Sequence, residues 1–336
     1  MGSMILILSI PFQVVKITPD NKRFILISTV VALSLLGDAM LYVVLPARPE
    51  DFHILVWQIG VLLGANRFIR LITNELAGRI VDHFDSQKPL LLAVLVGGLT
   101  TASYAIPWGF WWLLVARMTW GACWSILRVE GYISALALSH QANRGKIIAM
   151  YQALSRLGTG GGALLGGLLS DLIGLQVTFF LFSIMTLSGV ILVFKAGPVR
   201  VPETHPSRDH QMRQTPERSE SFTPFLLWLC VFSLSMTEQM IANLTGRLVA
   251  DRIILGIPFS IGIASLTGIL LSFRTFGTLF IGPASGVLSD RIGRETLILA
   301  ATFLQIIAIS SLALFKNWLF GILVLSVQLL ASSATR

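Results

Sequence analysis

The sequence predicts an all-α, polytopic membrane protein built by doubling a helical bundle, and three observations carry that expectation. Of the 336 residues 54% are hydrophobic and only 12% are charged, with a mean hydropathy of +0.77. A soluble domain carries about 25% charged residues. A short turn occurs twice between long apolar runs, first as Gly78-Arg79-Ile80-Val81-Asp82-His83-Phe84-Asp85-Ser86 and again as Gly286-Val287-Leu288-Ser289-Asp290-Arg291-Ile292-Gly293-Arg294, with Gly and Asp 208 residues apart in both cases. Lys and Arg between the apolar runs and at their ends gather on one side of the expected membrane, fifteen against three. A loop recurring at this separation marks a doubled bundle, and doubled bundles in membranes are mostly transporters.

Residues 1–23 form a lead-in. Met4 to Val15 is apolar, but no basic region precedes it and no small-residue cleavage site follows, so an interfacial or poorly ordered segment is expected rather than a signal peptide. It is also too short to cross, which takes about 20 residues. Ten spans follow: 24–46, 54–79, 89–106, 110–138, 147–170, 177–195, 222–247, 260–284, 296–315 and 318–334. Each must be helical, because lipid offers no partner to an exposed backbone N–H or C=O. Pro46 to His53, Pro107 to Gly109, Asp171 to Gln176 and Lys316 to Asn317 are short links that force antiparallel neighbours. Residues 196–221 are different. They mix Pro198, Pro202, Pro206 and Pro216 with eight charged residues, the composition of a flexible linker. The chain therefore divides into a six-helix bundle at 24–195, a linker at 196–221 and a second part of about four helices at 222–336. The charge count puts the N-terminus, the linker and both repeated turns on the cytoplasmic side. The net charge of +8 is read as this orientation signal rather than as a nucleic-acid footprint. Cys123 and Cys230 fall within apolar runs and read as small core residues, with neither disulfide nor metal spacing.

These residues resemble the major facilitator superfamily of secondary transporters. Gly286 to Arg294 is similar to that family's signature between helices eight and nine. Gly78 to Gln87 is similar to its first-half counterpart, keeping Gly78 and Asp82 but carrying His83, Asp85 and Ser86 where Arg, Gly and Arg are usual. Arg117-Met118-Thr119-Trp120-Gly121 resembles the family's fourth helix, with an intramembrane Arg and a Gly four residues later. Gly158-Thr159-Gly160-Gly161-Gly162-Ala163-Leu164-Leu165-Gly166-Gly167 resembles the glycine-rich motif of the family's exporters, with Ala163 in place of the usual Pro. The resemblance covers helices two to nine. It implies twelve helices, with the first-half turn leaning against the eleventh. Ten spans end the chain here, so the expected fold is a doubled six-helix bundle with an incomplete second half: an interrupted gene, a partial sequence, or a partner that supplies the rest, the chain being expected as a monomer or joined to such a partner.

The same residues have a physical reading of their own. Gly158, Gly162 and Gly166 recur every four residues, with Gly167 alongside, and form one stripe on a helix that another helix can approach closely. Tight packing and a sliding, gating contact both fit. Asp82 and Asp290 close cytoplasmic helix ends, where they can meet helix N-termini or basic side chains. With Gly78, Gly286, Arg291, Gly293 and Arg294 they are candidates for a latch between the halves, or for local stabilisation of a tight loop.

Charges inside the spans are the guide to chemistry. Arg67, Arg70, Arg117, Arg128, Arg156 and Arg274 lie there, with Asp38, Glu75, Glu130 and Glu238. A charge at the bilayer centre costs at least about 2.5–3.5 kcal/mol, so these side chains should line a polar interior. Arg117 and Arg128, eleven residues apart, share a helix face at a separation of about 16 Å. Asn66, Arg70 and Asn74 make a second polar stripe. A basic vestibule from helices two, four and five is expected, holding an anionic or amphipathic solute. Simpler readings also stand: Glu75 and Arg79 pair at i,i+4, and Arg128 with Glu130 belong to a structural network. Asp38 and Glu238 lie mid-helix, where desolvation favours a protonated carboxyl unless an arginine is near. Either is a candidate proton carrier, Asp38 the better one because Tyr42 and Pro46 follow it, or else a structural ion pair.

The function expected is a secondary transporter, a proton-coupled exporter in a bacterial inner membrane. The alternative is a non-transporting scaffold or relic. A membrane enzyme finds no Ser/His/Asp set and no His/Glu metal spacing, and His53, His83, His140, His205 and His210 map to loops or span ends. No cofactor is expected.

Overall fold

The computed structural model describes residues 19–83, 87–139, 143–197 and 262–292, together with Ala300, Phe303 and Ile307. Every regular element among them is helical: α1 (Pro19–Ala47), a 3₁₀ turn (Pro49–Phe52), α2 (Val56–His83), α3 (Gln87–Ser103), α4 (Phe110–Leu138), α5 (Arg144–Leu172), α6 (Leu175–Ala196) and α7 (Ile263–Ile292). The first six fall on the first six expected spans and α7 on the eighth. The span expected at 222–247, the one at 318–334, nearly all of 296–315, and the linker from residue 198 lie outside the described residues.

The helices overrun the apolar runs. α5 has 29 residues, about 44 Å at 1.5 Å per residue, against the roughly 30 Å of hydrocarbon to be crossed. α2 continues four residues past its expected end and α7 eight, so the repeated turn begins as helix in both copies. Polar residues can finish a helix in water as readily as apolar ones finish it in lipid, and neither extension, 80–83 or 285–292, contains a proline. Where reversals are abrupt, glycine supplies them. Gly109 before α4 and Gly174 before α6 have φ of 82° and 93°, which a Cβ would oppose.

The surface is inverted relative to a water-soluble bundle. Phe68, Leu71, Leu99, Trp111, Ile184 and Phe194 are exposed, whereas Asp38, Arg117 and Glu130 are buried. That is the distribution a hydrocarbon solvent selects. Among the described residues two helices, Asn21–Ala47 and Leu175–Ala196, combine spanning length with high mean hydropathy, 2.1 and 2.4. The apolar character of α2, α4 and α5 is diluted by the very charges that make the interior polar.

α1 is the central rod. It packs along α5 and α6 and crosses α4, while α2 pairs with α4, α3 with α6, and α5 with α7. Its length divides the apolar packing in two. Phe24, Ile27, Val30 and Val31 join Leu90, Trp120, Tyr151 and Val193. Met40, Leu41, Val44 and Leu45 join Phe52, Leu62, Tyr104 and Phe179 at the other end. There Phe179 meets the edges of Phe52 and Tyr104 at 6.4 and 5.7 Å between ring centroids. At the opposite end the Arg23 guanidinium donates to the Gly197 carbonyl, tying the start of α1 to the end of α6.

Candidate functional site

Arg117 on α4 organises the interior. It is fully buried, and its three nitrogens are all engaged. One terminal nitrogen donates to the Asp38 carboxylate of α1, the other to Tyr42 Oη at 3.1 Å, and Nε to the Leu62 carbonyl of α2 at 3.4 Å. The guanidinium also lies over the Tyr42 ring, 5.1 Å from its centroid. Asn66 Nδ2 donates to the same Asp38 oxygen at 3.4 Å, and Arg70 Nε donates to the Asn66 carbonyl at 2.9 Å. An ion pair stripped of water is tolerated only when further hydrogen bonds satisfy both partners, and three helices supply them here. Gly121, one turn beyond Arg117, makes the approach possible: a Cβ there would lie 2.8 Å from the Asn66 carbonyl oxygen.

Beside this network is a cavity of about 280 Å³. α1 contributes Asp38 and Tyr42, α2 Arg67 and Arg70, α4 Trp120 and Trp124, α5 Arg156, and α7 Arg274, Thr275 and Thr278. Four arginines thus line a space that holds one carboxylate among the described residues. Arg156 reaches across to α7, donating to the Thr278 carbonyl at 3.3 Å. Trp120 and Trp124 stack with centroids 5.7 Å apart and planes 10° from parallel.

Of the expected site residues, Asp38, Arg67, Arg70, Arg156 and Arg274 line the cavity, and Asn66 and Arg117 form the network behind its wall. Arg128 is exposed, its guanidinium 5.7 Å over the Tyr132 ring, although it shares a helix face with Arg117. Eleven residues along α4 carry it out of the cavity. Glu130 is buried on α4 and is not part of the cavity lining. Asn74 is exposed, and Glu75 pairs with Arg79 at 2.5 Å with both side chains largely exposed. Glu238 lies outside the described residues. Gly78 and Asp82 sit in the final turns of α2; Gly286, Asp290 and Arg291 sit in those of α7; Gly293 and Arg294 lie outside the described residues.

The glycines of α5 face two ways. Gly158, Gly162 and Gly166 receive α1 at Ala32, Leu36 and Met40. Gly167 and Ala163 receive α7 at Ala264 and Gly268, with Gly167 and Gly268 so close that a Cβ on the first would stand 3.2 Å from the Cα of the second. Ser272 of α7 donates to the Gly160 carbonyl at 2.8 Å across the same seam.

One polar cluster has no forewarning in the sequence reading. Where α1 and α5 end and α7 begins, the Asp171 carboxylate pairs with Arg48 and accepts from Ser265, from the backbone N–H at 2.7 Å and from the hydroxyl at 2.6 Å. Ser265 is in the first turn of α7, whose N–H groups have no intrahelical acceptor. Asp171 therefore caps α7 from another helix. The signal available was slight: opposite charges, Arg48 and Asp171, at two helix ends on the side that carries few basic residues.

Three comparisons with known proteins fit this geometry. A family model described as Major Facilitator Superfamily matches residues 27–335. The chain is 27% identical to a probable vesicular acetylcholine transporter-B of Danio rerio over 67% of the chain and 49% of that protein. It is 26% identical to a class H tetracycline resistance protein of Pasteurella multocida over 83% of the chain and 70% of that protein, and 26% identical to the multidrug resistance protein MdtG of Escherichia fergusonii over 79% and 64%. The chain thus spans about half the length of the Danio rerio relatives. Among solved structures it is similar to a bacterial homolog of the human lysosomal transporter Spinster in an inward-facing, occupied conformation, with a TM-score of 0.74 at 15% identity over 93% of the chain and 71% of that protein. It is also similar to the nucleoside transporter NupG, with a TM-score of 0.69 at 12% identity over 95% and 79%.

Proposed function

Because the chain belongs to the Major Facilitator Superfamily, and so is an integral, multi-pass membrane protein, we propose that it is a secondary transporter that moves a small solute by alternating access, exporting an anionic or amphipathic compound in exchange for protons. The observation that carries this reading is the arginine-lined cavity at the meeting of α1, α2, α4, α5 and α7. Charged side chains are costly in lipid and belong where water or a polar solute enters. The tetracycline and multidrug resistance named for the Pasteurella multocida and Escherichia fergusonii relatives support the direction.

The proton is assigned to Asp38. Its carboxylate is held by Arg117 and Asn66 at the cavity wall. Adding a proton to one carboxylate oxygen cancels the charge that Arg117 is paired with. The guanidinium, which cannot shed its own proton, then turns to Tyr42 and the cavity. The Asp38 carboxylate and an anionic solute thus compete for the same guanidinium, which couples the proton to the solute, while the sense of exchange rests on the drug-resistance relatives. The ends of α2 and α7, with Gly78, Asp82, Gly286, Asp290 and Arg291, are assigned to a latch on the cytoplasmic side. The N-terminus is assigned to that side of a bacterial inner membrane.

The test uses everted vesicles bearing the chain, acidified inside by respiration and reporting their pH gradient through acridine orange. Tetracycline and an organic anion such as phthalate are added in turn. A solute that is exchanged for protons collapses part of the gradient. Absence of any response, with the protein folded and in the membrane, sinks proton-coupled export. Flux of labelled solute that ignores the gradient removes the coupling and leaves transport standing.

A further inference from the structure

We infer that the solute is a small aromatic anion, whose carboxylate or phosphate is taken by Arg67 and Arg70 and whose ring extends the Trp120–Trp124 stack. This rests on the transporter reading for its purpose, but its warrant is the composition and geometry of the cavity wall.

Charge comes first. Arg67 and Arg70 stand one turn apart on α2 and line the same cavity. Two like charges at i,i+3 repel, and in a membrane interior water screens them poorly. Asp38 is the carboxylate that lines the cavity among the described residues, and its Oδ1 is shared by Arg117 and Asn66. Arg70 spends its Nε on the Asn66 carbonyl, and Arg67 makes no hydrogen bond among the described residues. Two guanidinium forks are thus held at a cavity whose one carboxylate among the described residues is already paired with Arg117. Such forks match the two oxygens of a carboxylate or the oxygens of a phosphate.

The ring comes second and is an independent observation. Trp120 and Trp124 both line the cavity and stack nearly in parallel. A planar group continues such a stack, and an aromatic surface is also a poor host for a hydrated inorganic anion. The indole N–H of Trp120 is buried with no hydrogen-bond partner, although a buried indole N–H ordinarily finds one. A cationic amphipath, by contrast, would enter a space lined by four arginines.

The experiment is equilibrium dialysis of the full 336-residue chain in lipid nanodiscs against three probes. Phthalate has a ring and two carboxylates, succinate has the carboxylates without the ring, and benzyltrimethylammonium has the ring with the opposite charge. Phthalate is expected to bind saturably, succinate at least tenfold more weakly, and benzyltrimethylammonium not to displace phthalate. Arg67→Gln and Arg70→Gln should each weaken phthalate at least tenfold, Arg70→Lys less, and Trp124→Leu should bring phthalate down to the succinate level. The proposal is overturned by benzyltrimethylammonium binding as tightly as phthalate, by succinate equalling phthalate, by no saturable phthalate binding, or by glutamine variants with native circular dichroism that keep full affinity. If a variant does not fold, the ranking of the three probes on the unaltered chain decides. Phthalate binding without flux in the vesicle assay retains this site and sinks transport; gradient-driven flux of another solute with no phthalate binding does the reverse.

Discussion

At the scale of single residues, the buried pair of Asp38 and Arg117 is asymmetric. A carboxyl left alone in the interior can take up a proton and become neutral, whereas a guanidinium cannot lose one. Asp38→Asn should therefore destabilise the protein more than Arg117→Met does, by the order of the 3–5 kcal/mol seen when one partner of a buried pair is removed. The double variant should recover much of the loss. Thermal unfolding in one detergent across the three variants measures this; equal losses for the two single changes would contradict the argument. That Asp38 and Arg117 lie within spans was legible from charge in an apolar context. That they face each other was not, because they are 79 residues apart and nothing in the spacing of α1 or α4 fixes the rotation of one helix against the other.

At the scale of elements, α5 shows how neighbouring positions with one chemistry acquire different duties. A Cβ on Gly162 would stand 2.6 Å from the Leu36 carbonyl oxygen and 2.7 Å from its Cα, atoms of the α1 backbone that cannot step aside. A Cβ on Gly161 would meet nothing nearer than the Leu36 Cδ2 at 4.0 Å. Gly162→Ala should cost about 1–3 kcal/mol through overpacking. Gly161→Ala should be neutral or stabilise by up to about 1 kcal/mol through helix propensity. Melting temperatures of the two variants in the same detergent give the comparison, and a reversed order would refute the packing described for α1 and α5. The four-residue period announced a close approach of helices. It could not say that Gly158, Gly162 and Gly166 meet α1 while Gly167 meets α7.

At the scale of the whole molecule, Asp171 joins segments 94 residues apart in sequence. It satisfies an N–H in the first turn of α7, where Gly262 has no side chain to offer and where a Cβ on Gly262 would collide with the carboxylate itself. Asp171→Ala should remove this cap, a loss of about 0.5–2 kcal/mol for a helix N-cap. Exchange of backbone amides across 262–270, followed by mass spectrometry, should accelerate. Arg48→Ala should change it less, since both Ser265 contacts survive. Unaltered exchange in Asp171→Ala would mean that α7 is held at this end by its apolar seam alone. On the proposed alternating-access reading, a contact between α5 and α7 at one end of the cavity holds that end closed, and the same variant is expected to favour the conformation open on the Arg48 side.

What the amino-acid sequence determined by itself is what each segment can state locally: apolar length, the side on which basic residues accumulate, glycine at a helical period, charge where charge is expensive. Those features were sufficient for an all-helical membrane fold, for its doubled family pattern, and for the arginines that line the cavity. Only the tertiary structure decided which charges meet, which left the cavity, as Arg128 did, and which ordinary-looking residues, Asp171 and the Trp120–Trp124 pair among them, came to tie helices together or to line the cavity. The reason is geometric. Periodicity fixes a face relative to its own helix axis, while contact depends on the rotation, tilt and depth of two axes together, and those are set by the packing of every helix in the bundle at once.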